Sequence, residues 1–422
     1  MVFENFAQAQ SVFLWATFGI ALVLGAVANK TNFCTMGAVS DWVNMGDTGR
    51  LRAWLLAIAV AMLGVVFLEF NGMVKPDAAF PPYRASQLIW AENLLGGLLF
   101  GIGMTLASGC GNKTCVRLGG GNIKSLMVLI IIAVIAYFMI NPFPGSDKTL
   151  MSVLFIDWIR PLAVTLKTKQ DFGSVIAGSE QALTARLIIG GALGLALLAI
   201  VFKSADFRKS FDNILGGLVV GLAVLAAWYV TSNVILNVDG QSYSLQNFVS
   251  EQWDMFAKPE DIKPADSRPL SPQSFTFINP LGQTLGYVAS GFKNPLLTFG
   301  VMSVFGVIAG SLLWSVVTRS FRIEWFASIK DFVNHFIGAI LMGFGGVLAM
   351  GCTIGQAVTG VSTLAIGSFI AFGAIVLGAA LTMKIQYYKM VYEDDATFSK
   401  AFITALVDLK LLPGGFRQLE AV

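Results

Sequence analysis

Charge is scarce in this chain of 422 residues: Lys, Arg, Asp and Glu make up 13% of it, against about 25% in soluble globular proteins. Histidine is scarcer still, with His335 alone, and there are four cysteines, Cys34, Cys110, Cys115 and Cys352. Each shortage excludes a class. So little charge cannot coat a water-soluble particle of this size, which rules out a cytosolic enzyme and a disordered chain. Four cysteines are too few to staple a secreted scaffold. A net charge of +3 does not suit a nucleic-acid binder. No Walker or other nucleotide motif is present, so nucleotide hydrolysis within this chain drives nothing. No string of Asp, Glu or His runs through the apolar stretches, so no proton relay is expected. No cofactor, metal ligand set or catalytic residue is expected either.

What is present is apolar: 55% hydrophobic residues, 33 Phe and 44 Gly, with a mean hydropathy of +0.71. A membrane-crossing helix needs about 20 mostly apolar residues. Nine runs qualify, at 11–29, 52–70, 92–109, 123–141, 185–203, 211–232, 296–318, 332–350 and 363–383. Backbone polar groups in lipid must be satisfied within their own segment, so the runs predict helices and an all-α polytopic membrane protein. The first run follows Glu4 rather than a basic residue, which marks a span rather than a signal peptide. The loops carrying Lys30, Arg50 and Arg52; Lys113, Arg117 and Lys124; Lys203, Arg208 and Lys209; Arg319, Arg322 and Lys330; and Lys384 and Lys389 all fall on one side. The positive-inside rule makes that side cytoplasmic, with the N-terminus outside and the C-terminus inside. The longer connections at 71–91, 142–184 and 233–295 then lie outside. The last is polar and bears Pro259, Pro264, Pro269 and Pro272, which predicts an external cap or lid.

Two stretches match at a constant offset of 242: GGLLFGIGMTLASGC (96–110) and GAILMGFGGVLAMGC (338–352). Eight of fifteen positions are identical, and both end in Gly-Cys. On the expected topology the two copies run in opposite directions, an inverted repeat of the kind found in secondary transporters. The implied division is a first repeat over 1–141, extra spans with long extracytoplasmic loops over 142–295, a second repeat over 296–390 and a cytoplasmic tail over 391–422. A related stretch, NILGGLVVGLA (213–223), lacks the cysteine and reads as a packing helix.

After each repeat comes a short polar, Gly-rich stretch, CGNKTCVRLGGGN and CTIGQAVTGVST, and NFCTMGAVSDW (32–42) follows the first span in the same way. Such stretches persist at membrane depth only when buried in protein or lining a wet cavity. Each is read as a short re-entrant half-helix beginning near its cysteine. A helix N-terminus has unpaired N–H groups and the positive end of the dipole, which suits an anion. A thiol adds a polarizable donor. Cys34, Cys110 and Cys352 are therefore candidate path residues for an anion bearing a soft sulfur or selenium atom. Candidate path-lining residues are Asn112, Lys113, Thr114, Cys115, Thr353 and Gln356. Lys113 and Arg117 either attract the anion at the inner mouth or anchor to lipid headgroups. Asp41 and Asp47 read as helix caps, Glu69 and Glu92 as interfacial, and His335 as structural.

The segments NFCTMGAVSDWVNMGDTGRLRAW (32–54), GMTLASGCGNKTCVRLGGGN (103–122) and GFGGVLAMGCTIGQAVTGVSTLAIGSF (343–369) resemble the YeeE/YedE family of bacterial inner-membrane sulfur-compound transporters. The resemblance covers most of the chain. It implies an hourglass-like body in which thiosulfate passes by successive S–H hydrogen bonds from the cysteines matching Cys34, Cys110 and Cys352. The chain reads GCGNKTC where the family pattern is closer to GCTSG, and it is longer than the minimal members. Its length and the FCTMGAVSDW phrase look more like the YedE branch. That branch is associated with selenium metabolism and a cytosolic TusA-like sulfur carrier. The expected activity is import of thiosulfate or a related sulfur or selenium oxyanion across the bacterial inner membrane, not enzymatic chemistry. The alternatives are a selenium-compound transporter, or a membrane sulfurtransferase handing persulfide sulfur to that carrier.

Overall fold

A computed structural model describes residues 1–259, 261–265 and 269–420; parts of the expected lid (260 and 266–268) and tail (421–422) lie outside the described residues. The nine expected spans are all helical, and among the described residues nine helices are long and apolar enough to cross a membrane. In chain order the helices that matter here are α1 (Phe6–Lys30), α2 (Thr35–Ser40), α3 (Gly49–Phe70), α4 (Trp90–Leu106), α5 (Gly111–Gly119) and α6 (Ile123–Ile140). They continue with α7 (Phe172–Phe202), α8 (Phe211–Asn233), α9 (Ile278–Ala289), α10 (Phe299–Val317), α11 (Ile329–Leu348), α12 (Ile354–Gly360), α13 (Ile366–Val391) and α14 (Phe398–Asp408). The protein is all-α and multi-pass. Its strands are short: Val2–Phe3 pairs parallel to Ile235–Val238, which pairs antiparallel to Gln241–Ser244. A second pair joins Gln87–Leu88 to Val164–Thr165.

Side-chain caps start many of these helices, because the first N–H groups of a helix have no partner of their own. Asp171 accepts from the Ser174 amide at 2.9 Å, Asn122 from Ser125 at 3.1 Å and Ser328 from Asp331 at 3.1 Å. α7 starts earlier than expected, at Phe172, and breaks at Gly178, where φ is 75°. A positive φ is open to Gly at no steric cost.

The packing is reciprocal. α1 lies on α10 and α8 on α3; α4 lies on α13 and α11 on α6; α4 and α11 cross each other. The crossing itself is symmetric. A Cβ on Gly96 would stand 2.7 Å from the Gly345 carbonyl oxygen, and one on Gly345 would stand 2.6 Å from that of Gly96. Gly103 and Gly338 stand in the same mutual relation, each Cβ position 2.6 Å from the other's carbonyl. Only glycine permits this approach, which is how small residues hold helices together where lipid gives no hydrophobic drive. Residues 213–223 pack as expected: Gly217 and Gly221 of α8 meet the carbonyls of Ala53 and Ala57.

Loops expected on one side do gather on one face. Lys30 pairs with Asp212 at 3.0 Å, Ile123 donates its amide to the Glu324 carbonyl at 3.0 Å, and Lys124 lies 3.6 Å from Asp331. The opposite face holds the N-terminus, whose ammonium donates to the Asn233 carbonyl at 2.7 Å. The tail folds back on α13, with Tyr388 Oη donating to Asp408 at 2.6 Å.

Two expectations need correction. The segment 233–295 is not wholly an outer lid. Gln273 to Ile278 runs inward, and Phe275, Phe277 and Ile278 are fully buried, because three aromatic or branched side chains in four residues find their burial in the core. Glu69 and Glu92, expected as interfacial carboxylates, are not open to solvent. Both are buried and ion-paired, Glu69 with Arg84 and Arg186 and Glu92 with Arg160, arginines that lie outside their own spans.

Candidate functional site

Three turns of the same shape present three cysteines to the core. Two residues before each cysteine stands a non-glycine residue in the left-handed region: Asn32 (φ 51°), Ser108 (φ 58°) and Met350 (φ 55°). Each reverses the chain after the preceding helix. Cys34 then caps α2, its Sγ accepting from the Gly37 amide at 3.5 Å. Cys352 accepts from the Gly355 amide at 3.5 Å, and its carbonyl accepts from the Gln356 amide at 2.8 Å. Cys110 is the extended residue before α5, and its carbonyl accepts from the Thr114 amide at 2.9 Å. A sulfur that accepts from a backbone N–H keeps its own S–H free to donate elsewhere. Cys34 and Cys352 thus sit at the positive end of a short helix with a donor to spare; Cys110 holds the same position without a side-chain cap.

The three are buried together. Cys34 is 6% exposed, Cys110 2% and Cys352 0%. Thr353 Oγ1 lies 3.2 Å from Cys110 Sγ and joins the two repeat-related cysteines. The path-lining candidates divide. Lys113 Nζ donates to Asn32 Oδ1, tying α5 to the turn before Cys34. Thr114 Oγ1 donates to the Cys110 carbonyl at 2.8 Å and is spent on its own helix. Gln356 Nε2 donates to the Ala349 carbonyl, while its Oε1 is unpartnered among the described residues, as is Asn112 Oδ1. Cys115 is wholly buried on α5. Thr35 Oγ1, Tyr83 Oη and Thr276 Oγ1 are also buried without partners among the described residues. Buried polar groups are nearly always paired, so this many around three thiols is notable. Sequence reasoning missed all three hydroxyls; of these, only Thr276 leaves a sequence signal, standing at Cys34 plus 242.

Below Cys34 and Cys110, toward the basic face, opens a cavity of about 520 Å³ lined by Asn32, Ser108, Lys113, Arg117, Lys124 and Arg322 among others. It is polar and carries four cations to one carboxylate, Glu324. Asp41, the acid nearest in sequence to Cys34, pairs with Arg50 rather than only capping a helix, with Nη2 to Oδ1 at 2.7 Å. Asp47 does act as a cap, accepting from the Gly49 amide at 2.8 Å. His335 is buried and hydrogen-bonded to the Asp331 carbonyl at 2.8 Å, the structural role expected.

On the opposite face a buried ionic network holds the far end of the Cys352 segment. Arg84 is 2% exposed; its Nη2 reaches Glu69 Oε2 at 2.9 Å and its Nε donates to the Thr363 carbonyl at 2.7 Å. Arg186 joins Glu69 at 2.8 Å and Asp171 at 2.8 Å. Lys169 lies 2.6 Å from Asp77. Burial alone would raise the Asp77 carboxyl, but Lys169, Arg84 and Arg186 outweigh it and hold it down at about 2. Asp171 is likewise lowered, its own burial being outweighed by hydrogen bonds from Arg186 and Ser174. The apolar runs gave no sign of this network, because its members come from loops and helix ends far apart in sequence.

Fold and site together define a multi-pass α-helical membrane protein whose core is cysteine-led and polar. The chain belongs to the family described as Sulphur transport, which matches residues 30–381. It is similar to the Thiosulfate transporter TsuA of Escherichia coli (strain K12), 23% identical over 377 residues, covering 87% of this chain and 93% of the relative. It is also similar to the Thiosulfate transporter TsuA of Spirochaeta thermophila, 21% identical over 379 residues, covering 86% of this chain and 96% of the relative. The protein is a transporter of sulfur compounds, and the YeeE/YedE resemblance of its sequence stands.

Proposed function

We propose that the protein imports thiosulfate, or a related sulfur or selenium oxyanion, across the bacterial inner membrane through the path of Cys34, Cys110 and Cys352. The observation that carries this reading is the threefold recurrence of one device: a left-handed residue, then a buried cysteine, then a short helix starting at it. A soft anion leaving water needs donors without a fixed countercharge that would trap it. Free S–H groups and helix N-termini supply them. Thr353, Asn112 and Gln356 line the same path, and Cys115 stands behind it. Lys113 and the other cations of the 520 Å³ cavity draw the anion out toward the basic face. That face is cytoplasmic and the N-terminus periplasmic. The names of the relatives point to thiosulfate.

The body is an inverted repeat. The first unit is 1–141; the second runs from α8 through α13. It begins at 211, earlier than the 296 expected, because α8 packs as α1 does. α7, with the long loops beside it, is the addition between the units, and 391–422 is a cytoplasmic tail. The reciprocal helix pairs and the mutual glycine contacts of α4 and α11 support this division. A sulfurtransferase serving a TusA-like carrier fits less well, since handing over persulfide sulfur needs an accessible thiol and each of the four is at most 6% exposed.

The test is initial-rate uptake of labelled thiosulfate into proteoliposomes holding the purified chain, with selenite and sulfate as competitors. Saturable uptake, blocked by unlabelled thiosulfate and little affected by sulfate, is expected. Absence of uptake of any of these anions would overturn the reading.

A further inference from the structure

We propose that Thr276 is a fourth donor of the path, a hydroxyl that takes the oxygen end of the oxyanion beside the Cys352 thiol. The inference rests on the transport reading above and adds to it a residue of a different chemistry.

Position is the first observation. The offset of 242 that relates Cys110 to Cys352 carries Phe33 to Phe275 and Cys34 to Thr276. The packing agrees. α9, which follows Thr276, lies on α6 and α10, as α2, which follows Cys34, lies on α13 and α3. Little else of the local sequence matches, TMGAV after Cys34 against FINPL after Thr276.

Geometry is the second. Thr276 is 6% exposed, and its side chain lies against the turn that carries Cys352. A Cβ on Gly351 would stand 3.3 Å from Thr276 Oγ1, and one on Gly355 would stand 2.5 Å from it. Glycine at 355 is what lets the hydroxyl reach the start of α12. The Thr276 side chain lies near the Cys352 sulfur without closing a hydrogen bond of ordinary geometry to it.

The third observation is what the hydroxyl does not do. Its segment is clamped on both sides. The Gln273 amide donates to Thr231 Oγ1 at 3.0 Å, Ser274 Oγ donates to the Val224 carbonyl at 2.9 Å, and Thr359 Oγ1 donates to the Phe275 carbonyl at 2.7 Å. Its neighbour Ser274 and the threonines clamping the segment are satisfied by protein, yet Thr276 Oγ1 has no partner among the described residues. A backbone held this firmly, with one donor left unspent beside a thiol, is set for a ligand that passes.

Chemistry assigns the end it meets. A thiol is a weak, polarizable donor and a hydroxyl a stronger, harder one. Thiosulfate has one soft terminal sulfur and three hard oxygens. The pair Cys352 and Thr276 therefore meets both ends at one level.

Uptake of labelled thiosulfate into proteoliposomes is compared for wild type, Thr276→Val, Thr276→Ala and Thr276→Ser, with melting temperatures measured in detergent. Removing the hydroxyl as Val or Ala lowers uptake at sub-saturating thiosulfate about tenfold, the loss of one hydrogen bond to a charged group. Ser restores it, and the melting temperature of the Ala chain stays near that of wild type. The Ala variant keeps the comparison open if Val does not fold. Wild-type uptake by Thr276→Ala, or a loss in Thr276→Ser equal to that in Thr276→Ala, would overturn the inference while leaving the transport reading in place. No uptake by wild type would remove both.

Discussion

A cysteine at the start of a helix is an uncommon cap; oxygen-bearing Ser, Thr, Asp and Asn are the usual ones. Here cysteine starts three short helices and caps two of them through sulfur, at Cys34 and Cys352, while oxygen caps start neighbouring helices in the same chain, as at Asn122 and Asp171. The choice of sulfur is therefore local to the core. It predicts that Cys110→Ser, which keeps a donor, retains more thiosulfate uptake than Cys110→Ala, though less than wild type, since a hydroxyl is a poor match for a terminal sulfur. Initial-rate uptake checks the order. The ionic network makes a separate prediction about stability. Replacing Arg84, 2% exposed, with Met leaves Glu69 facing Arg186 alone, and breaking a buried pair costs about 3–5 kcal/mol. The expected readout is a clear drop in melting temperature. The pH dependence follows from Asp77. Its folded value of about 2 lies below its ordinary 3.8. Its contribution is therefore fully present above about pH 4 and is lost as pH falls through about 2. Melting temperature flat between pH 8 and 5, then falling below 4, is expected; Asp77→Asn lessens that fall.

Among the elements, the spans were the legible part. Apolar length fixes where a chain crosses a bilayer, and each of the nine expected runs lies within or overlaps a helix. Two of the cysteine turns were legible as well, because Gly-Cys repeats at a constant offset, and the third because a Cys-led polar stretch follows the first span. The rest was not. Gln273 to Ile278 was read as loop, since a six-residue stretch is too short for a span and its burial depends on helices distant in sequence. Thr276 was passed over because its one signal, standing at Cys34 plus 242, ends in a threonine where the other pair matches cysteine to cysteine. Tyr83 and the Glu69–Arg84–Arg186 network have no period at all. The glycine crossing of α4 and α11 gives the test at this scale. Gly345→Ala puts a methyl 2.5 Å from the Phe100 amide nitrogen, and overpacking costs about 1–3 kcal/mol. Gly373→Ala meets nothing within 4 Å. The first should lower melting temperature and uptake, and the second should leave both unchanged.

At the scale of the whole molecule, the scarce charge is sorted by place. Cations line a wide cavity on one face, paired ions close the other, and between them the path offers donors but, among the described residues, no free carboxylate. Anion capture by the cavity is electrostatic and screened by salt. Entry through it should therefore slow as ionic strength rises, and Arg117→Gln with Arg322→Gln should flatten that salt dependence in transport started from the side the cavity faces. The thiols between the faces carry the central claim. Cys34→Ala, Cys110→Ala and Cys352→Ala chains, reconstituted beside wild type and matched for amount and melting temperature, test it through initial-rate uptake of labelled thiosulfate. Each variant is predicted to fall well below wild type; uptake at the wild-type rate by all three would contradict a path relayed by cysteine.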